Sequence, residues 1–267
     1  MRRLSRAWKA ANRPVTVVLV ILAALLLWAL GCSLFNPPAF ILPTPLAVID
    51  EFRSTPEYFL RQTAFTLWTT MAGFGLAMVI GFVIAIGIVY STLLERTLYT
   101  LLVALNSVPK VALAPLFAIW MGTGAEPKIA IALTIAIFAV VIDTVLGLRS
   151  ADPDLLNLAR SARASPLQIL LKVRLPAALP SMFAGMKVAI SLALVGAIVG
   201  EFVAGDTGLG QAILLAQGMF QTPRMFVAIV ILGLLGTLLF YGVDLLERLF
   251  VPWHISQRTT HTGRQAR

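Results

Sequence analysis

The chain has 267 residues, of which 59% are apolar and only 12% charged, with a net charge of +9. Soluble domains carry about 25% charged residues, so this composition excludes a soluble enzyme and marks an integral membrane protein. In that setting the positive balance reports on topology and gives no reason to expect a nucleic-acid partner. A single cysteine, Cys32, excludes an intrachain disulfide and a cysteine-based metal cluster.

Residues 1–13 carry Arg2, Arg3, Arg6, Lys9 and Arg13 ahead of the first apolar run. Runs near the length of about 20 residues that a spanning helix needs follow at Pro14–Leu34, Phe65–Tyr90, Leu98–Trp120, Lys128–Leu148, Met182–Phe202 and Met225–Leu245. The expected fold is an all-α, six-span helical bundle over residues 14–248. Residues 249–267 form a polar, basic tail expected to be disordered; it holds His254 and His261, which suit no metal site. Pro109, Lys110 and Pro115 interrupt the third run, predicting a kinked or broken helix, which is tolerated where protein or water lines the backbone. The first run ends in Ala29-Leu30-Gly31-Cys32, which also resembles a lipoprotein signal. Ala29 in place of the usual Leu, and the later spans, favour an ordinary first span.

Small residues recur every fourth position in two spans: Gly73, Ala77, Gly81 and Ala85, and then Gly185, Ala189, Ala193 and Ala197. Such ridges let helix backbones approach closely in lipid, either as static contacts or as surfaces that slide. Charges inside the spans are few. Asp143 and Lys187 are expected at the same depth, as a structural ion pair or a pair lining a pathway. Glu201 and Asp244 are expected at the interfaces, with Glu201 a further pathway candidate.

Basic residues set the orientation. Arg2, Arg3, Arg6, Lys9 and Arg13 share one side with Arg96, Arg149, Arg160, Arg163, Lys172, Arg174, Arg248, Arg258, Arg264 and Arg267. The other side holds Arg53, Arg61, Lys110, Lys128 and Arg224. Fifteen against five predicts that both termini and the segment 149–180 are cytosolic.

That segment reads as two short helices. Asp152-Pro153-Asp154 supplies an N-cap, a proline at the first helical position and an acid at the positive helix end. Ser165-Pro166-Leu167-Gln168 adds a capping box, and its helix is expected to stop before Pro176. A tight turn would lie at Arg163–Ser165. The pair lacks a DNA-recognition face, while Leu155, Leu158, Leu167 and Leu170 are more apolar than a solvated loop requires. Exposed apolar helix faces of this kind dock on partners.

The segment resembles the EAA loop of binding-protein-dependent ABC importer permeases: E-A-A, three residues, G, nine residues, I-x-L-P. Counting back from Val173-Arg174-Leu175-Pro176, the glycine position is Arg163 and E-A-A falls on Asn157-Leu158-Ala159. The Glu and the Gly are absent, so strain or a compensating contact is expected at Arg163. Leu42-Pro43-Thr44-Pro45, the stretch Val108–Gly124, and Gly200-Glu201-Phe202 with Gly208-Leu209-Gly210 are similar to the nitrate, sulfonate and taurine branch. The resemblance implies a type I importer permease fold and a coupling site at Asn157, Leu158, Ala159, Arg163, Ala164, Ser165, Leu167, Leu170, Val173, Leu175 and Pro176. It also implies two ATP-binding subunits holding ATP and Mg, a second permease copy, an external substrate-binding protein, and residence in the bacterial inner membrane. The chain has no G-x-x-x-x-G-K-[ST] phosphate loop, so no bound cofactor and no enzyme activity are expected of it. An ion-coupled secondary transporter or channel is the alternative; an intramembrane enzyme lacks its constellation.

Overall fold

The computed structural model describes residues 2–99, 101, 104 and 108–252. His254, His261, the tail from 253 onward and part of the third predicted span lie outside the described residues. Regular structure among the described residues is helical throughout. We number the main helices α1 (Arg2–Phe35), α2 (Pro45–Ser54), α3 (Pro56–Tyr90), α4 (Ala114–Met121), α5 (Ala125–Arg149), α6 (Pro153–Ser161), α7 (Pro166–Ala204), α8 (Leu209–Gly218) and α9 (Thr222–Phe250).

Five described helices are long and apolar enough to cross a membrane: Val18–Phe35 within α1, then α3, α5, α7 and α9. The third predicted span is broken. A 3₁₀ turn at Lys110–Leu113 feeds the eight-residue α4. Pro109 and Pro115 lack the N–H that a continuous helix would use, which accounts for the short piece.

The chain divides into two compact units, Met1–Leu60 with Ala212–Val230, and Arg61–Gln211 with Ile231–Arg267. In the first unit the Pro43 carbonyl accepts from Trp28 Nε1 at 3.1 Å and from Cys32 Sγ at 3.6 Å. Thr44 then caps α2, its hydroxyl accepting from Ala47 N, with Pro45 in the first turn. Cys32 is buried within a helix that runs on to Phe35. Arg224 pairs with Glu51 at 2.7 Å and stacks over Tyr58, and Thr222 donates to the Phe40 carbonyl.

The second unit is built around α5. Both small-residue ridges found in the sequence press against it. On one side Gly73 faces Ala132 and Gly81 faces Val140, so α3 runs parallel to α5. On the other, Gly200 faces Lys128, Gly196 faces Ala132 and Gly185 faces Asp143, so α7 runs antiparallel to it. The contacts are backbone-close: a Cβ at Gly196 would lie 2.6 Å from the Ala132 Cα. Phe74, Ala77, Ala136, Val140, Ile190, Ala193 and Ala197 fill the buried core between these helices.

One correction concerns α7. Its first turn does not stop before Pro176; it runs through a π-helical turn at Leu170–Arg174 directly into the long helix. Pro176 has no N–H and its ring would clash with the carbonyl four residues back. The wider turn resolves this by letting Leu175 N bond to the Leu170 carbonyl, five residues back.

Adding a side chain at the tightest approach should force α5 and α7 apart, since overpacking costs roughly 1–3 kcal/mol. Gly196→Val is expected to lower the thermal midpoint of the purified protein in detergent. Gly75→Ala, with nothing near its Cβ, should leave that midpoint unchanged.

Candidate functional site

The segment between α5 and the long part of α7 is held at both ends. Asp152 caps α6 by accepting from Asp154 N at 2.8 Å. At Ser165 the expected capping box is complete: the hydroxyl accepts from Gln168 N, and Gln168 Oε1 accepts from Ser165 N at 2.8 Å. Between them Arg163 adopts φ +54°. Arg163 N donates to Arg160 O and Ala164 N to Ala159 O, the paired bonds of a Schellman helix end. Glycine normally fills that left-handed position because a Cβ is disfavoured there.

Four contacts fix the segment to its unit. Arg174 Nη1 donates to the Leu148 carbonyl at 3.0 Å and its guanidinium lies over the Tyr90 ring; Tyr90 OH donates to the Pro166 carbonyl. Arg149 pairs with Glu95 at 2.8 Å. Leu170 and Leu175 pack inward on Leu148, Ala178 and Met182, so they belong to the support of the segment and not to its outer face. That outer face is apolar: Leu155, Leu158, Leu167 and Leu171 are 53%, 67%, 62% and 52% exposed. An open groove there brings together Leu158, Ala159, Val173 and Pro176 with Leu155 and Lys172. A second, smaller one is lined in part by Ala164, Gln168 and Ile169. Asn157, Arg163 and Ser165 are exposed beside them.

The charged residues of the spans distribute differently from expectation. Asp143 and Lys187 do not pair. Lys187 contacts Asp244 and Glu247 of α9, and Arg248 donates to the other Asp244 oxygen at 2.9 Å. Gly185 is the residue that faces Asp143; Lys187, two positions on, is turned about 200° around the helix. Asp244, expected at the interface, is therefore one member of a partly buried cluster. The i, i+3, i+4 placement of Asp244, Glu247 and Arg248 was the available signal.

Glu201, near the end of α7, is fully buried in the protein. Its carboxylate accepts from Thr66 Oγ1 and from Gly210 N, both at 2.7 Å. Thr66 Oγ1 accepts in turn from Leu209 N, and Gln62 Oε1 from Gly208 N. Together they satisfy the free N–H groups that open α8, which a helix start leaves unpaired, and Gly208 supplies the φ of +116° that the turn needs. Nearby, the buried Lys128 donates to the Thr123 and Gly124 carbonyls at 2.6 and 2.8 Å, with Asp206 3.7 Å away. Sequence reading did not assign roles to Gln62, Thr66 or Lys128. The partners of Gln62 and Thr66 lie more than 130 residues away in the chain, whereas Lys128 bonds the turn just before its own helix.

Helices long and apolar enough to span a membrane, with an exposed, capped helical pair between two of them, define an integral membrane protein with an apolar surface outside its spans. A family model described as binding-protein-dependent transport system inner membrane component matches residues 77–252, and the chain belongs to that family. A riboflavin transport system permease protein of Chloroflexus aurantiacus is 38% identical over 93% of this chain and 92% of its own length. An aliphatic sulfonates transport permease protein of Escherichia coli is 32% identical over 90% of each. A formylaminopyrimidine transport permease protein of Halalkalibacterium halodurans is 29% identical over 93% of this chain and all of its own length. The inward-facing MetNI methionine ABC transporter shares the fold, with a TM-score of 0.66 at 20% identity over 74% of this chain and 98% of that one. The chain is thus the multi-pass permease subunit of an ABC importer of small solutes, a transport protein and not an enzyme, with ATP hydrolysis on a separate subunit. The secondary transporter or channel alternative is set aside.

Two outcomes test the site's construction. Arg163→Gly should relieve the left-handed position by about 1 kcal/mol, read as slower hydrogen exchange at the 163 and 164 amides; unchanged exchange would mean that another contact already offsets the strain. Glu201→Ala leaves Thr66 and the Gly210 N–H without their acceptor, each orphaned group costing about 1–3 kcal/mol. A marked fall in the thermal midpoint is expected, and a smaller one for Glu201→Gln, which keeps one acceptor oxygen.

Proposed function

We propose that α6, the Arg163 turn and the opening turns of α7 are the surface by which this permease docks on its ATPase partner. The observation that carries it is the row of exposed leucines, Leu155, Leu158, Leu167 and Leu171, on helices that are rigidly capped. Preserved spacing of the Val173–Pro176 ending supports the same reading. Closure of the ATPase would push on this segment and, through the continuous helix α7, on the spans behind it. Import is then a population shift between two arrangements of the spans, driven by contacts that differ between them.

In this reading two ATPase subunits, holding ATP and Mg, serve a pair of these chains, and a binding protein delivers the solute from outside. The termini and the docking segment face the cytosol, as the distribution of basic residues favours. The solute is a small polar compound of the range represented by the relatives, whose names include riboflavin, formylaminopyrimidine, sulfonates, taurine and nitrate.

Leu158→Glu and Leu167→Glu change exposed positions, where substitutions usually shift stability by no more than about 0.5 kcal/mol. Both variants should insert and purify normally. They should nevertheless lose co-purification with the ATPase subunit, or keep it while losing ATP-driven import. Full import and intact complexes with both variants would end the docking assignment.

A further inference from the structure

We propose that Asp143 is a solute-contact site on the translocation pathway, receiving solutes that present N–H, O–H or ammonium donors and disfavouring simple anions. The proposal rests on the permease reading above and narrows its solute class. Asp143 sits within α5, six residues before its end at Arg149, or about 9 Å along the helix axis. Glu201, Asp244 and Glu247 are each held by hydrogen bonds or by a cation. Asp143 has neither among the described residues, and the lysine that could have neutralised it is engaged with α9.

An ionisable group left without a partner inside a membrane is costly, and marks a substrate or ion path. Here the surroundings are shaped around it. The carboxylate is half-buried and lies over Gly185, where a Cβ would come within 2.6 Å of the Asp143 Cβ and 2.8 Å of Oδ2. Replacing that glycine would fill the space the carboxylate occupies. Beside Gly185, Ala184 and Val188 open to the outside of the unit, Val188 being 51% exposed. A carboxylate beside these exposed positions has only acceptor oxygens to offer. It attracts donors and cations and repels an inorganic anion such as nitrate, whatever the binding protein delivers.

Thiol labelling tests this without knowing the solute. Cys32 is the only cysteine, so Val188→Cys can be read cleanly in a Cys32→Ser background, in the assembled transporter in proteoliposomes. The probes are a trimethylammonium and a sulfonate methanethiosulfonate of similar size, with each rate divided by that for a free thiol. Val188→Cys is expected to react at least about tenfold faster than Val79→Cys on the exposed face of α3, because the reactive thiolate is disfavoured in hydrocarbon. It should also favour the cationic probe roughly 25-fold, because one charge about 4 Å away in water speeds the cation and slows the anion by about fivefold each. Adding Asp143→Asn should abolish that preference while leaving Val188→Cys reactive. Labelling no faster than at Val79→Cys overturns the pathway placement, and a cation preference that survives Asp143→Asn overturns the role of the carboxylate. ATP-driven import by the parent complex is scored separately, so failure of the permease reading is distinguishable from failure of this one.

Discussion

The approach of α3 and α7 to the backbone of α5 is the constraint on which the rest depends. In lipid there is little hydrophobic drive between helices, so close contact must supply the attraction. Gly73 and Gly81 on one side, and Gly185, Gly196 and Gly200 on the other, allow it. Once α7 is seated against α5 in that register, its other positions have assigned directions. Gly185 meets Asp143, Lys187 turns to α9, and Glu201 reaches the start of α8. The same seating brings Arg174 beneath Leu148 and anchors the docking segment.

That segment combines two properties that usually conflict: a rigid mount and an apolar outer face. Rigidity comes from local chemistry, the Asp152 and Ser165 caps and the Schellman bonds around Arg163. The π turn ahead of Pro176 then joins the segment to the spanning helix without a break. Leu167 and Leu171 therefore sit on the same continuous helix as the spanning part of α7, with no loop between. Arginine in the left-handed position stores some strain at the turn, where the family pattern would have glycine.

Most of the buried charged groups fall into two arrangements with separate purposes. The Glu201, Thr66 and Gln62 set closes the start of α8, and Lys128 answers carbonyls of the 123–124 turn. Lys187 with Asp244, Glu247 and Arg248 ties α7 to the end of α9. Asp143 belongs to neither. Its isolation is meaningful because the neighbouring charges are satisfied.

Local and periodic features were legible in the sequence. The apolar runs, the four-residue spacing of small residues, both helix starts and the special turn at Arg163 all follow from near neighbours along the chain, and each has a structural counterpart. The ending of a helix before Pro176 was misjudged because a proline can be absorbed by a π turn when the following helix is well packed. Which charges meet was not legible at all: depth in the membrane can be counted from sequence, but azimuth cannot be matched between helices until they are packed. Sequence alone therefore determined that this chain lies in a membrane and where the two short helices of its polar segment start, since composition and capping residues act locally. Only the tertiary structure decided that Lys187 turns away from Asp143 and that Glu201 is buried as a cap, because a rotation of 100° per residue makes every partner depend on the register that glycine contacts set.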